Sequence, residues 1–191
     1  MPLSVEMPAP VSTTHGCALR RSSARAATLT RGAYVESRAM EGFSFTIETR
    51  VRFAETDAQG VAHNSSYFVW FELARVEYLR EFAGGYQKIR DQGFEALVLE
   101  THIRYREPAR FDDVLHVHAR CHELRGARFK YDYAVERSGV VIADGWTSHA
   151  MVDSQTLRPT RVPEWLVEAI STAEATASSR SARSASGLPG P

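Results

Sequence analysis

From residue 45 to 53 apolar and polar side chains alternate, with Phe45, Ile47, Val51 and Phe53 on one side and Glu48, Arg50 and Arg52 on the other. That period of two predicts a half-buried strand. The pattern then changes. Residues 65–83 place Tyr67, Phe68, Trp70, Phe71, Leu73, Ala74, Val76, Tyr78, Leu79 and Phe82 around a helix with only a narrow polar strip near Glu72 and Arg75. A helix apolar over most of its circumference has to be surrounded. Gly84-Gly85 supplies its stop.

Four further strands are expected downstream. Residues 96–106 form the first, which stops before Pro108 because proline lacks a ladder donor. In residues 114–123, Leu115, Val117, Ala119 and Cys121 alternate with His116, His118, Arg120 and His122. Gly126 marks a turn into residues 129–135, and Ser138-Gly139 a turn into residues 140–152. One strand, a long helix and four hairpin-linked strands predict an α+β fold, an antiparallel sheet on one helix.

The chemistry concentrates where the first strand meets the helix, in Glu55-Thr56-Asp57-Ala58-Gln59-Gly60-Val61-Ala62-His63-Asn64-Ser65-Ser66-Tyr67. Asp57 is a lone carboxylate in a tight turn just ahead of a helix whose first N–H groups have no intrahelical acceptors. Such a helix end stabilises negative charge, including the oxyanion formed when a carbonyl is attacked. A carboxylate beside an oxyanion site is the minimum equipment for acyl transfer. The same residues also satisfy ordinary rules. Asp57 and Gly60 occupy the first and fourth positions of a type I turn, and Asn64 or Ser65 is a good helix N-cap.

Spaced motifs decide between these readings. Arg52-Phe53-Ala54-Glu55-Thr56-Asp57-x-x-Gly60-Val61, Asn64-x-x-Tyr67 and Phe71-Glu72-x-Ala74-Arg75 resemble the hotdog-fold acyl-CoA thioesterases of the 4-hydroxybenzoyl-CoA thioesterase family. The resemblance continues through Tyr105-x-x-Pro108-Ala109-x-Phe111-Asp112-Asp113 to Pro163-Glu164-Trp165. It implies a hotdog fold, a five-stranded antiparallel sheet wrapped around one long central helix. It also implies hydrolysis of an acyl-CoA to a free acid and CoA.

On that resemblance Asp57 matches the catalytic aspartate, either attacking the thioester carbonyl or deprotonating the attacking water. Asn64 matches the position whose backbone N–H polarises the carbonyl. His63 is a further catalytic candidate, although relatives carry their histidine one position later, where this chain has Asn64. Neither route calls for a metal or a cofactor, because the CoA thiolate is a tolerable leaving group. The alternatives are a hydratase or dehydratase of acyl thioesters on the same fold, or a non-catalytic acyl-CoA binding module.

Other polar groups read differently. Glu72 lies eight residues past Asn64, roughly 12 Å along a helix, and has Arg75 at i+3, a spacing that suits a structural pair. His116, His118 and His122 share one face of a single strand, turned toward solvent or a partner, whereas a zinc site draws ligands from several elements. Arg104, Arg106, Arg110, Arg128 and Lys130 are candidates for the CoA phosphates.

Composition sets the remaining bounds. The 191 residues carry no net charge, but residues 40–170 hold 16 basic and 20 acidic side chains, a net of −4. That is no footprint for nucleic acid. Cys17 and Cys121 lie more than a hundred residues apart, so a disulfide framework is not expected, which favours a reducing compartment. No apolar run reaches the ~20 residues a membrane helix needs. The expected location is the cytoplasm.

Residues 40–170 are expected to form the hotdog domain and to hold its full stability. Residues 1–39 are expected to be a disordered or mis-assigned extension, with Met40 as the start; their Arg- and Ser-rich stretch alternatively suits an organelle transit peptide. Residues 171–191, rich in Ser, Ala and Gly, are expected to be a disordered tail. A single sheet on one helix leaves edges open, so a homodimer or dimer of dimers is expected, with the strands at 114–123 and 129–135 near the partner.

Overall fold

The alternating segments become strands of one sheet in the computed structural model, which describes residues 40–185. The expectations placed on residues 1–39 lie outside the described residues. In chain order the elements are β1 (Phe45–Arg50), a 3-10 turn (Phe53–Glu55), α1 (Asn64–Ala83), α2 (Tyr86–Asp91), β2 (Phe94–Tyr105), β3 (Val114–Arg125), β4 (Arg128–Arg137), β5 (Val140–Asp153) and α3 (Glu164–Ala185). The sheet order is β1-β3-β4-β5-β2, and every neighbouring pair is antiparallel. This is the expected α+β arrangement. β1 stops three residues before the end of the alternation because residues 53–55 wind into the 3-10 turn.

One face of the sheet carries the core. Leu115, Val117, Ala119 and Cys121 of β3 and Tyr131, Tyr133 and Val135 of β4 are buried, as are Trp70, Phe71, Ala74 and Tyr78 of α1. Aromatic contacts fix how α1 lies on the sheet: Phe71 stacks on Tyr133 at 4.3 Å, and Tyr78 meets the edge of Tyr131 at 5.4 Å. Gly145 of β5 makes room for this. A Cβ there would stand 2.3 Å from the His102 carbonyl oxygen and 3.0 Å from the Phe71 ring, so only glycine lets the ring settle. Truncating a buried ring such as Trp70 to alanine costs about 3–5 kcal/mol in a core of this kind.

Several expectations need correcting. There are two long helices among the described residues, α1 of 20 and α3 of 22 residues. Residues 171–185, expected to be disordered, continue α3. Alanine is the strongest helix former, and tertiary partners fix the segment. Ala173 is buried. The Glu174 carboxylate accepts hydrogen bonds at one oxygen, Oε1, from Ser44 Oγ (2.7 Å), Tyr78 Oη (2.7 Å) and the Cys121 N–H (2.9 Å). Three donors converging on one carboxylate tie α3 to β3 and α1, so a domain ending at 170 omits part of its own core.

Helix α1 is not surrounded within the chain: Phe68, Val69 and Leu73 are exposed. His118 does not face solvent. It is buried, with Nδ1 2.8 Å from Thr46 Oγ1 and Nε2 3.2 Å from Glu136, and the Phe43 ring lies 5.9 Å away. Burial lowers its pKa more than Glu136 raises it. β3 and β4, expected near a partner, occupy interior positions of the sheet, so a partner would reach them at its face and not at its edge. Exposed apolar side chains instead gather on the edge strand β2, at Leu97, Val98 and Leu99. Among the described residues no helix is long and apolar enough to cross a membrane.

Candidate active site

The segment between β1 and α1 is held at both ends by Glu55. Its buried carboxylate accepts from the Arg52 N–H (2.8 Å), the Arg52 guanidinium (2.7 Å) and the Trp70 indole N–H (3.1 Å). Its carbonyl accepts from the His63 N–H (2.8 Å) and from Ser66 Oγ (3.0 Å), so the same residue fixes the first turn of α1. Between these anchors the chain turns sharply. The Gly60 N–H donates to the Asp57 carbonyl at 3.0 Å, and the Asp57 N–H to the Val61 carbonyl at 2.9 Å. Gly60 has φ +73°, which glycine adopts at little steric cost.

Asp57 thus has the turn role read from its spacing. Its Oδ1 also accepts from the Gln59 N–H at 2.8 Å. That bond leaves Oδ2 for other partners, and the side chain is only part-buried.

The N-cap of α1 is His63, whereas the sequence offers Asn64 or Ser65 for that place. His63 Nδ1 accepts from the Ser65 N–H at 3.2 Å and lies 2.7 Å from Ser65 Oγ. The reason is local: the Glu55 carbonyl has already captured the His63 N–H, which turns that residue into the cap. Because the capping contacts use Nδ1, any contact of His63 with a substrate falls to Nε2. Asn64 becomes the first helical residue, and its N–H has no acceptor within the helix. The first turn of α1 carries no acidic side chain. The positive end of the helix dipole is therefore uncompensated from within.

Asp57, His63 and Asn64 line one cleft of about 540 Å³. Its opposite wall comes from the end of β2 and the loop after it, Tyr105 to Pro108. The Tyr105 hydroxyl donates to the Asn64 carbonyl at 3.1 Å, and the Ala109 N–H donates to Tyr67 Oη at 3.2 Å. The Ala62 N–H donates to the Ala109 carbonyl at 2.8 Å. Arg137 holds this wall from behind, through the Pro108 carbonyl, Asp113 and Glu107. Tyr105, Tyr67 and Glu55 stand in the motifs quoted above, but nothing in their spacing assigns them these contacts, which join residues up to 42 positions apart.

The other candidates fall elsewhere. Glu72 lines a different cavity and lies 4.0 Å from Arg75, at the limit of an ion pair. His116 and His122 pair with carboxylates on neighbouring strands, Glu48 at 3.7 Å and Asp132 at 3.0 Å. Of the five proposed phosphate cations, Arg106 lines the cleft while bound to Asp144 at 2.6 Å. Arg110 approaches the Gly60 carbonyl at 3.5 Å, and Lys130 lies over the Trp146 ring.

Comparison with known proteins agrees with this geometry. Residues 51–170 match the model of the thioesterase-like superfamily. A putative esterase of Aquifex aeolicus is 42% identical over 108 residues, 56% of this chain and 84% of the relative. An acyl-CoA thioesterase of Haemophilus influenzae, YbgC, is 32% identical over 124 residues, 64% of this chain and 90% of the relative. The crystal structure of a 1,4-dihydroxy-2-naphthoyl-CoA thioesterase from Synechocystis superposes with a TM-score of 0.62 at 25% identity, covering 66% of this chain and 98% of that one. The chain belongs to the thioesterase-like superfamily, whose solved members share its hotdog sheet.

Proposed function

We propose that this chain hydrolyses an acyl-CoA thioester to a free carboxylic acid and CoA, with Asp57 and the N-terminus of α1 as its machinery. The observation that carries this reading is the shared cleft, which brings the Asp57 carboxylate and the first residue of α1 to one space. In this mechanism the thioester carbonyl oxygen sits at the Asn64 N–H, where the helix end favours charge growing on it. The Asp57 carboxylate attacks the carbonyl carbon, or takes a proton from a water that does. The tetrahedral oxyanion collapses, the C–S bond breaks, and CoA leaves as a thiolate that takes up a proton. Direct attack leaves an acyl-enzyme anhydride, which a water then hydrolyses. His63 acts through its cap, fixing the helix start that presents Asn64. Arg106 at the cleft wall is the cation best placed to meet a CoA phosphate.

In the same reading the sheet curls around α1 as its central helix, and the protein works as an even-numbered homo-oligomer in the cytoplasm. The support for assembly is exposure: Leu97, Val98 and Leu99 lie on the open edge strand β2, while Phe68, Val69 and Leu73 leave a stripe of α1 uncovered. An exposed apolar edge invites pairing with another strand.

Free thiol release from a panel of short, long and aromatic acyl-CoAs tests the activity. The expected result is stoichiometric CoA and acid from at least one class. Water addition to a 2-enoyl-CoA without thiol release would replace hydrolysis by hydration, and silence on every substrate would refute the enzyme reading.

A further inference from the structure

A second cavity, of about 300 Å³, is lined on α1 by Glu72, Arg75, Val76 and Leu79, farther along the helix than the cleft's Asn64 and Tyr67, and shares no lining residue with the cleft. Its walls come from α1, α2, β2, β4 and α3, with Leu79, Ile89, Phe129 and Leu166 providing apolar surface. Four polar residues interrupt that surface: Glu72, Arg75, Tyr86 and Tyr131. The Tyr86 hydroxyl is taken up by Glu95 at 2.6 Å. Tyr131 is fully buried, and its hydroxyl finds no oxygen or nitrogen partner, only the weakly accepting Cys121 thiol across the strands. The Arg75 side chain is only 17% exposed, and its ion-pair partner Glu72, 4.0 Å away, is 70% exposed to solvent. A buried hydroxyl met only by a thiol costs stability in an empty cavity, and the Arg75 guanidinium has the Tyr133 hydroxyl and the exposed Glu72 carboxylate as its partners.

From this arrangement we infer that the cavity is a binding site for a small amphipathic monocarboxylic acid, carboxylate against Arg75 and Tyr131, hydrocarbon among the apolar side chains. The carboxylate would take the planar guanidinium in a two-pronged contact and accept from the Tyr131 hydroxyl, satisfying both groups at once. A cation is opposed by Arg75, and a plain hydrocarbon leaves both polar groups as they are. The volume sits at the low end of the ~300–1,000 Å³ range of small-molecule sites, which suits a medium-chain or aryl acid and is too small for CoA.

The charge of Arg75 already acts on this region. Burial pushes His149 down to about 3, and Arg75 pushes it in the same direction, so the imidazole is neutral. His149 Nε2 lies 2.7 Å from Thr147 Oγ1, and Thr147 Oγ1 lies 3.0 Å from the Tyr133 hydroxyl. These groups are neutral, so the counter-charge that the cavity wall offers Arg75 is the solvent-exposed Glu72 carboxylate at 4.0 Å, and an anion in the cavity would add a closer one.

The proposal does not rest on the hydrolase reading, and its test involves no turnover. Octanoate and phenylacetate are titrated calorimetrically into the full chain, with octan-1-ol as the uncharged control. At least one acid is expected to bind, and octan-1-ol at least tenfold more weakly than octanoate. Arg75→Gln is expected to weaken acid binding at least tenfold. Tyr131→Phe, which removes only an oxygen whose partner is a thiol, is expected to stay folded and to weaken it several-fold, so the test stands even if the arginine variant does not fold. Asp57→Asn is expected to leave the affinity unchanged. Absence of binding by both acids at millimolar concentration overturns the inference. So does affinity indifferent to Tyr131→Phe, or affinity lost with Asp57→Asn, which would place the acid in the cleft.

Discussion

Burial pushes the Glu55 carboxyl up, but hydrogen bonds from Arg52 and Trp70, together with the Arg52 charge, outweigh it and hold the group below the ordinary carboxylate range. A carboxyl depressed in this way stabilises the fold above its unfolded value of about 4.3. That stabilisation is lost as pH falls through the lower folded value. Between about pH 5 and pH 3 the wild type should therefore lose stability more steeply than Glu55→Gln, as read by urea unfolding at each pH. At neutral pH the same variant should cost about 1–3 kcal/mol by leaving its donors less well satisfied. Parallel pH profiles would remove Glu55 from its anchoring role. At this scale the sequence was legible where chemistry follows spacing: Asp57 and Gly60 form the expected turn, and Asn64 opens the helix. It was not legible for Tyr67 or Tyr105, whose partners Ala109 and Asn64 are brought to them only by the tertiary fold, nor for Glu55, whose partners converge only once α1 folds back on the turn. The same is true of His63, whose capping role follows from a backbone bond to Glu55.

The strands and α1 were readable as elements because alternation and helical spacing are imposed by burial on one face. α3 beyond residue 170 was not, because Ala and Ser give a weak apolar signal and the decisive contact is a single carboxylate. The fold depends on that contact more than composition suggests. A chain ending at 170 should melt below the full chain, and Glu174→Ala should reproduce much of the loss, since Ser44, Tyr78 and the Cys121 N–H would all lose their acceptor. A cost of about 2 kcal/mol corresponds to roughly 4–8 °C in melting temperature. Calorimetric melting of the three chains decides it. Identical temperatures would mean that α3 past residue 170 adds nothing.

For the whole molecule, the proposed assembly would cover the exposed stripe on α1 and the apolar edge of β2. Light scattering on the 21.3 kDa chain should give a dimer or a dimer of dimers. Val98→Lys with Leu99→Lys should shift that mass toward the monomer, because two desolvated charges oppose edge pairing. A monomer with full activity would contradict this assembly. The central claim is that Asp57 supplies the attack on the thioester at the start of α1. It is tested most directly by steady-state CoA release from the best acyl-CoA, wild type against Asp57→Asn, with folding checked by circular dichroism. The amide keeps the turn's size but is neither a nucleophile of comparable strength nor a base. The account expects turnover to fall by about a hundredfold or more in a folded protein; turnover within a few-fold of wild type would contradict it.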